Sequence, residues 1–517
     1  MSMGIKFYAR NNGFNVPLLV IAWLAAVAIR LMNLDNIIIG WRPTELASIA
    51  LNYYRHGFHF LYPQVQWGGN GPGFVEMECP LLPYGIALLY SVFGVHDFVA
   101  IALPMAFGLG LVVIVYLLAK YLFGTAEGFV AALFVIISPT WLELSTGIWP
   151  DPPTIFCGSV GIYLLTRWVD DDKWKRFFLA AFWISAAILF KLTSLFLGVP
   201  VLFLFWVKFK NRLFQSPRVW LFALLTLAVP LLWYFHSYRL FLEYHNTFGI
   251  IGGGYLKFGT HSILASPSFY ALTFLRLMMY HVTPLGFLCM VFALVRFSGE
   301  PKQYLFHAWG ISVLIYLAIA AKGVLMGHYQ YILPVVPPAA AIAGLGTVKL
   351  FRTIQSIGRT RALLSHKVLA PLLMVLFIGN AVSSNTLYKT RDTVFSRLSI
   401  EKMRTGKAVR NLTASGSLIV VVDADMDDVT PEHSMTPPDV FYFGDRQGWY
   451  QSMAWITIDK IEKLRRQGAR YLVFSSNDVG LFRREHADMY STLSHNYLVL
   501  MDSKDGIIYD LWKSQKH

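Results

Sequence analysis

Acidic residues set beside prolines are the first feature of this chain that could do chemistry. Glu76-Met-Glu78-Cys-Pro-Leu-Leu-Pro-Tyr84 and Trp149-Pro-Asp151-Pro-Pro153 both lie at the edges of long apolar segments. A carboxylate held at a membrane boundary can take the proton of an attacking hydroxyl, and ionisable groups in such places tend to be functional. Capping of the helix that follows Asp151 is the plainer alternative. Glu45 is a further acid, in Trp41-Arg42-Pro43-Thr44-Glu45. Thr44 is expected to cap a helix there, because Leu46, Ile49, Ala50 and Tyr53 recur at helical spacing until Gly57. Glu45 then falls in the first turn, where it serves either as a base or as a complement to the helix dipole.

Cations complete the set. Arg239, His245, Lys257 and His261 surround Gly252-Gly-Gly254 in an expected loop over 237–283, which suits an anionic lipid phosphate or, on the plainer reading, phospholipid head groups. Lys191 is another candidate for stabilising an anionic group. Trp67 and Trp149 are candidates for stacking on a substrate, with Glu76, His245 and His261 as further substrate contacts. Aromatic residues are also expected at any membrane interface. Gly68-Gly-Asn-Gly-Pro-Gly73 has the composition of a phosphate cradle, but no strand precedes it and no lysine-serine pair follows, so it is read as a flexible connection. No helix carries a paired-histidine zinc pattern; Glu78 with His245 or His261 is what the sequence offers a divalent metal. Cys79, Cys157 and Cys289 are too few and scattered for a disulfide framework.

The elements that must position these groups are membrane spans. Charged residues make up only 14% of the chain, where soluble domains carry about 25%, and mean hydropathy is +0.50. Apolar runs approaching spanning length recur at 16–32, 98–118, 129–149, 152–168, 177–190, 193–207, 219–235, 284–295, 304–321, 331–348 and 368–381. The net charge of +14 does not point to nucleic acid, because the basic residues cluster in alternate short loops, as around Lys120, Lys173, Lys210, Arg296 and Arg359. That pattern predicts eleven spans with the N-terminus inside and the C-terminus outside. Counting 80–94 as a span would invert it, so this segment is expected to be a juxtamembrane helix in a first outer loop of about 34–97. Ala26-Val-Ala28 after a basic start leaves a cleaved signal peptide as the alternative to a retained anchor. From about Asn385 the composition becomes that of a soluble domain. Strands are predicted at 417–423, 470–475, 497–501 and 507–512, and a helix at 458–467 stopped by Gly468, giving an extracytoplasmic α/β domain over 391–517 beside a membrane domain over 1–390.

The order of these features resembles the GT-C superfamily of membrane glycosyltransferases. The resembling parts are an outer-loop helix with an acid, Glu78-Cys-Pro-Leu-Leu-Pro-Tyr84, Lys120-Tyr-Leu-Phe-Gly124, Pro150-Asp151, and His328-Tyr-Gln-Tyr-Ile-Leu-Pro334 followed by Pro337-Pro338. The branch is the one that includes protein O-mannosyltransferase-like and lipid A aminoarabinose transferase-like proteins. The resemblance implies transfer of a sugar from a polyprenyl-phosphate donor to a glycan, lipid or protein acceptor, usually with inversion, on the outer face of a bacterial inner membrane. It implies that Asp151 and Glu78 match family acids, Glu78 one that can touch a divalent metal, and that Tyr331 lies near the lipid phosphate. The usual first-loop acid is replaced by Arg42-Pro43, with Glu45 three residues on. A transporter or flippase of a lipid-linked substrate is the rival reading, but transporters place ionisable groups near mid-span, and here the acids lie at outer ends.

Overall fold

The computed structural model describes residues 15–32, 40–253, 258–356, 366–390, 394–424 and 437–514. Its contacts divide the chain into two compact units, one formed by 1–35, 104–230 and 256–391, the other by 36–103, 231–255 and 392–517. Two changes of unit fall within helices, at Pro104 in Asp97–Leu122 and at Pro230 in Pro217–Tyr244. Proline is the residue that removes a hydrogen bond from a helical ladder.

The first unit is helical, and every apolar run read from the sequence falls on helix. Run 129–149 is interrupted at Ser138, giving Thr125–Ile137 and Pro139–Leu144, and run 193–207 opens with a 3-10 turn, Leu192–Leu197, before Gly198–Phe209. Among the described residues four helices are long and apolar enough to cross a membrane, or five if the pair Pro267–Val282 and Pro284–Val295, bent by 104°, counts as one span. That pair corrects part of the expected 237–283 loop. Its bend sits at Thr283, whose positive φ of 68° is supported by Asn380: the amide donates to Thr283 Oγ1 at 2.9 Å and accepts from the Leu285 N–H at 3.2 Å. Small residues let backbones approach in the run Ala339-Ala-Ala-Ile-Ala-Gly-Leu-Gly346. A Cβ on Gly344 would lie 2.6 Å from Glu127 O and one on Gly346 1.8 Å from Cys289 O, so helix Val336–Ser356 packs directly on Thr125–Ile137 and Pro284–Val295.

The second unit holds a five-stranded sheet, β1 (Leu418–Asp423), β2 (Gln447–Ser452), β3 (Ala469–Ser475), β4 (Leu498–Ser503) and β5 (Gly506–Asp510), in the order β2-β1-β3-β5-β4. β1 pairs in parallel with β2 and β3, while β5 runs antiparallel to β3 and β4. Val420, Val422, Leu472, Phe474 and Ile507 form a core with Ile461 of helix Ile458–Arg466, and with Phe482 and Leu493. Ile419, Val421, Val473 and Ile508, which alternate with them, are buried as well. Burial on both faces explains why β1 reads as a continuous apolar run. The same unit contains helix Trp41–His56, the short apolar helix Leu81–Phe93, and the end of Pro217–Tyr244.

Candidate functional site

Within the second unit, helix Trp41–His56 is buried along Pro43–Tyr53. Gly40, at a positive φ of 117°, takes the N-cap position in place of Thr44, and Thr44 Oγ1 donates back to Gly40 O at 2.8 Å. Glu45 is therefore the fifth helical residue, one turn in. Both of its oxygens are engaged: Trp41 Nε1 donates to Oε1 at 2.6 Å, and Arg42 Nη1 lies 3.1 Å from Oε2. The same Nη1 lies 3.7 Å from Glu78 Oε2, and the guanidinium sits 5.1 Å from the centroid of Phe248. Arg42 thus faces two carboxylates whose side chains are only 1% and 6% exposed. Among the described residues no hydrogen bond reaches the carboxylate of Glu78. Sequence reading had treated Arg42 as the absence of an acid; its i, i+3 spacing to Glu45 was the available signal.

Glu76 is a tie within the fold. Its carboxylate accepts from Thr247 Oγ1 at 2.5 Å and from the Ile251 and Ile250 N–H groups at 2.8 and 3.3 Å, while its backbone pairs with Asn246 and Phe248. Burial pushes this carboxyl above its ordinary range, against the pull of those donors. Trp67 is buried too, its ring 6.3 Å from both Phe248 and Phe441, so it is packed in place and does not present a stacking face. The glycine stretch is built, not slack. Gly69 N donates to Gly448 O at 2.7 Å, Gly448 N donates to Gln66 O at 3.0 Å, and Gly68 bridges Trp449, so the segment Gln66–Gly69 lies along β2, the edge strand.

Arg239 is helical, since Pro217–Tyr244 continues to the segment's end with Trp233, Ser237, Leu240 and Phe241 buried on one face; Arg239 itself is exposed. The expected loop begins only at His245. Lys257 lies outside the described residues. His245 and His261 are exposed, one at a positive φ of 59° and the other opening the one-turn helix His261–Leu264. Among the described residues no group of three His, Cys, Asp or Glu side chains is placed to hold a metal ion, and the three cysteines are buried and free. The donor set at Glu78 does not fit a protein-held divalent metal, because the cation facing that acid is already Arg42.

In the first unit three predicted residues meet. Asp151 opens helix Asp151–Asp171, followed by Pro152 and Pro153, whose missing N–H groups cost nothing in a first turn. Lys191 is an extended residue, φ −159°, between helix Trp174–Phe190 and the 3-10 turn Leu192–Leu197. Its Nζ donates to Asp151 Oδ1 at 2.7 Å and lies 5.5 Å from the ring centroid of Tyr331. Tyr331 ends the 3-10 turn Tyr329–Tyr331, seated against Gly323, where a Cβ would come within 2.6 Å of its ring. Among the described residues no donor reaches Asp151 Oδ2, which is buried. Trp149 stands half-buried just ahead of this acid. The turn after Lys191 also lines an apolar cavity of about 250 Å³, together with Ile188, Val201, Phe205 and Phe222.

Comparison with known proteins agrees with this architecture. Residues 77–234 match the model of the dolichyl-phosphate-mannose-protein mannosyltransferase family. The structure is similar to that of ArnT from Cupriavidus metallidurans in the apo state, at 14% identity and a TM-score of 0.65 over 95% of this chain and 97% of that one. ArnT bound to undecaprenyl phosphate gives 14% identity and a TM-score of 0.61, over 95% and 98% of the two chains. The Archaeoglobus fulgidus oligosaccharyltransferase in the apo form gives 13% and 0.60, over 91% of this chain and 70% of that one. No curated protein sequence is matched. The fold is that of the GT-C membrane glycosyltransferases, as the order of motifs in the sequence implied.

Proposed function

We propose that the protein transfers a sugar from a polyprenyl-phosphate donor to an acceptor hydroxyl on the outer face of the membrane, with inversion at the anomeric carbon. The observation that carries this reading is the Asp151–Lys191–Tyr331 cluster beside an apolar cavity. A half-buried ammonium, fixed by a carboxylate and flanked by a tyrosine, suits a phosphate head group, and the apolar walls suit the lipid tail. The match to ArnT bound to undecaprenyl phosphate supports it by fold.

In the reaction the acceptor oxygen bonds to the anomeric carbon as the bond from that carbon to the phosphate oxygen breaks. The electron pair leaves with the polyprenyl phosphate, whose growing charge Lys191 stabilises. Asp151 is committed to Lys191 through Oδ1 and so acts as the residue that orients this cation. The acceptor's proton passes to a carboxylate. Glu78 is the stronger choice over Glu45, because Glu45 already receives Trp41 and Arg42 on its two oxygens.

The test is a transfer assay with the purified protein in lipid, using radiolabelled polyprenyl-phosphate sugars and extracts of the cell envelope as acceptor. Lys191→Met should weaken the use of donor and slow turnover by about 100-fold, the scale seen when one electrostatic stabiliser of a leaving or developing anion is lost. Glu78→Gln should slow turnover while leaving donor binding intact. Normal donor affinity and turnover in Lys191→Met would sink the donor assignment. Movement of label across the membrane without transfer would favour a flippase instead.

A further inference from the structure

We propose that the guanidinium of Arg42 is the resident cation of the Glu45–Glu78 carboxylate pair, standing where a divalent ion would otherwise be needed, so that these acids work without a bound metal. The inference rests on the reading of Glu45 and Glu78 as acids of the transfer reaction.

Two buried carboxylates brought to one place repel each other unless a cation lies between them or one takes up a proton. Here a single nitrogen, Arg42 Nη1, lies 3.1 Å from Glu45 Oε2 and 3.7 Å from Glu78 Oε2. The cation is seated and not merely nearby. Phe248 presents its ring face to the guanidinium at 5.1 Å, and Phe248 is itself fully buried, its N–H bonded to Glu76 O at 2.9 Å. Trp41 on the other side of Glu45 fixes the remaining oxygen at 2.6 Å. A guanidinium stays charged at any working pH and is weakly hydrated, which makes it a permanent occupant of a partly buried site. A divalent ion placed against Glu78 would meet that positive charge at close range. Arg42 is accordingly a positioning residue. It aims Glu45 and neutralises the pair, while Glu78 is held at ion-pair distance and, among the described residues, without a hydrogen bond.

The experiment is a Mn²⁺ titration of the chelator-treated full-length protein in detergent, by calorimetry and by the loss of the free-Mn²⁺ paramagnetic signal. The wild type is expected to show no stoichiometric binding. Arg42→Met, which removes the charge and keeps most of the volume, should gain one Mn²⁺ per chain at least about tenfold more tightly than the wild type, the two bared carboxylates then seeking another cation. Mn²⁺ should also raise its melting temperature, and Arg42→Lys should restore the wild-type indifference. One tightly held Mn²⁺ in the wild type that is lost in Glu78→Gln would overturn the proposal, as would a folded Arg42→Met protein that gains no Mn²⁺. If Arg42→Met does not fold, the wild type compared with Glu78→Gln still decides. None of these measurements needs a substrate, so a protein that transfers no sugar would refute the proposed function and leave this inference to stand or fall alone.

Discussion

Asp439 is the residue at which one proton bears most directly on the fold. It is wholly buried in the second unit, and burial pushes its carboxyl up from 3.8 to about 7, against the opposing pull of Lys402 and with a further push from Asp423. Lys402 Nζ is paired with Asp423 Oδ2 at 2.7 Å, and Thr44 Oγ1 of the Glu45 helix lies 3.5 Å from Asp439 Oδ1. Between about pH 4 and about pH 7 the unfolded chain gives up this proton while the folded one keeps it, so the folded state loses stability as pH rises through that window. The full-length protein should therefore melt at a lower temperature at about pH 8 than at about pH 5, and Asp439→Asn should shrink the difference. An unchanged difference in that variant would place the titrating group elsewhere.

At the scale of elements, the docking of the segment Gln66–Gly69 on β2 depends on a turn that only glycine makes without strain. Gly69 has a positive φ of 70°, and a Cβ there would lie 2.4 Å from Trp449 Nε1. Gly69→Val should destabilise the second unit by about 1–3 kcal/mol, the cost of a side chain forced into such backbone. Gly71→Ala should cost less, because Gly71 has no positive φ and its new methyl would come no closer than 3.3 Å to Gly68 O. Differential melting of the two proteins checks this; equal melting temperatures would mean the turn bears no strain.

Turn and strand also mark where sequence reading ran out. The helices were legible because long apolar runs have no other satisfied conformation in a bilayer, and β1, β3, β4 and β5 because branched and aromatic residues crowd them. β2, Gln447-Gly-Trp-Tyr-Gln-Ser452, was not seen: its alternation is polar and its partner on one side is a loop some 380 residues earlier. The Asp151–Lys191–Tyr331 group was legible as types at helix edges, though not as a contact. The packing of Glu76 and Trp67 was not legible for one reason. A polar or aromatic residue in an outer loop looks available until the segment that covers it, here Thr247–Ile251 and Phe441, is known.

At the scale of the whole molecule, the one-sided basic loops propose eleven spans with the tail outside, and this orientation is open to direct test. Reporter fusions after Gly124 and Lys210 should show cytoplasmic activity, and a fusion at the C-terminus should show activity only outside. A cytoplasmic C-terminus would defeat the proposed orientation. The second unit has a consequence of another kind, because it is assembled from 36–103, 231–255 and 392–517. A ribosome makes the first of these early and the last only after some 390 residues have been threaded. The Glu45 helix must therefore wait for the helix Asp439–Gly444 that packs against it. During that interval Arg42, only three residues from Glu45 in the chain, is a cation already at hand, and so the pairing closest in sequence guards the acids before the rest of their surroundings has been translated.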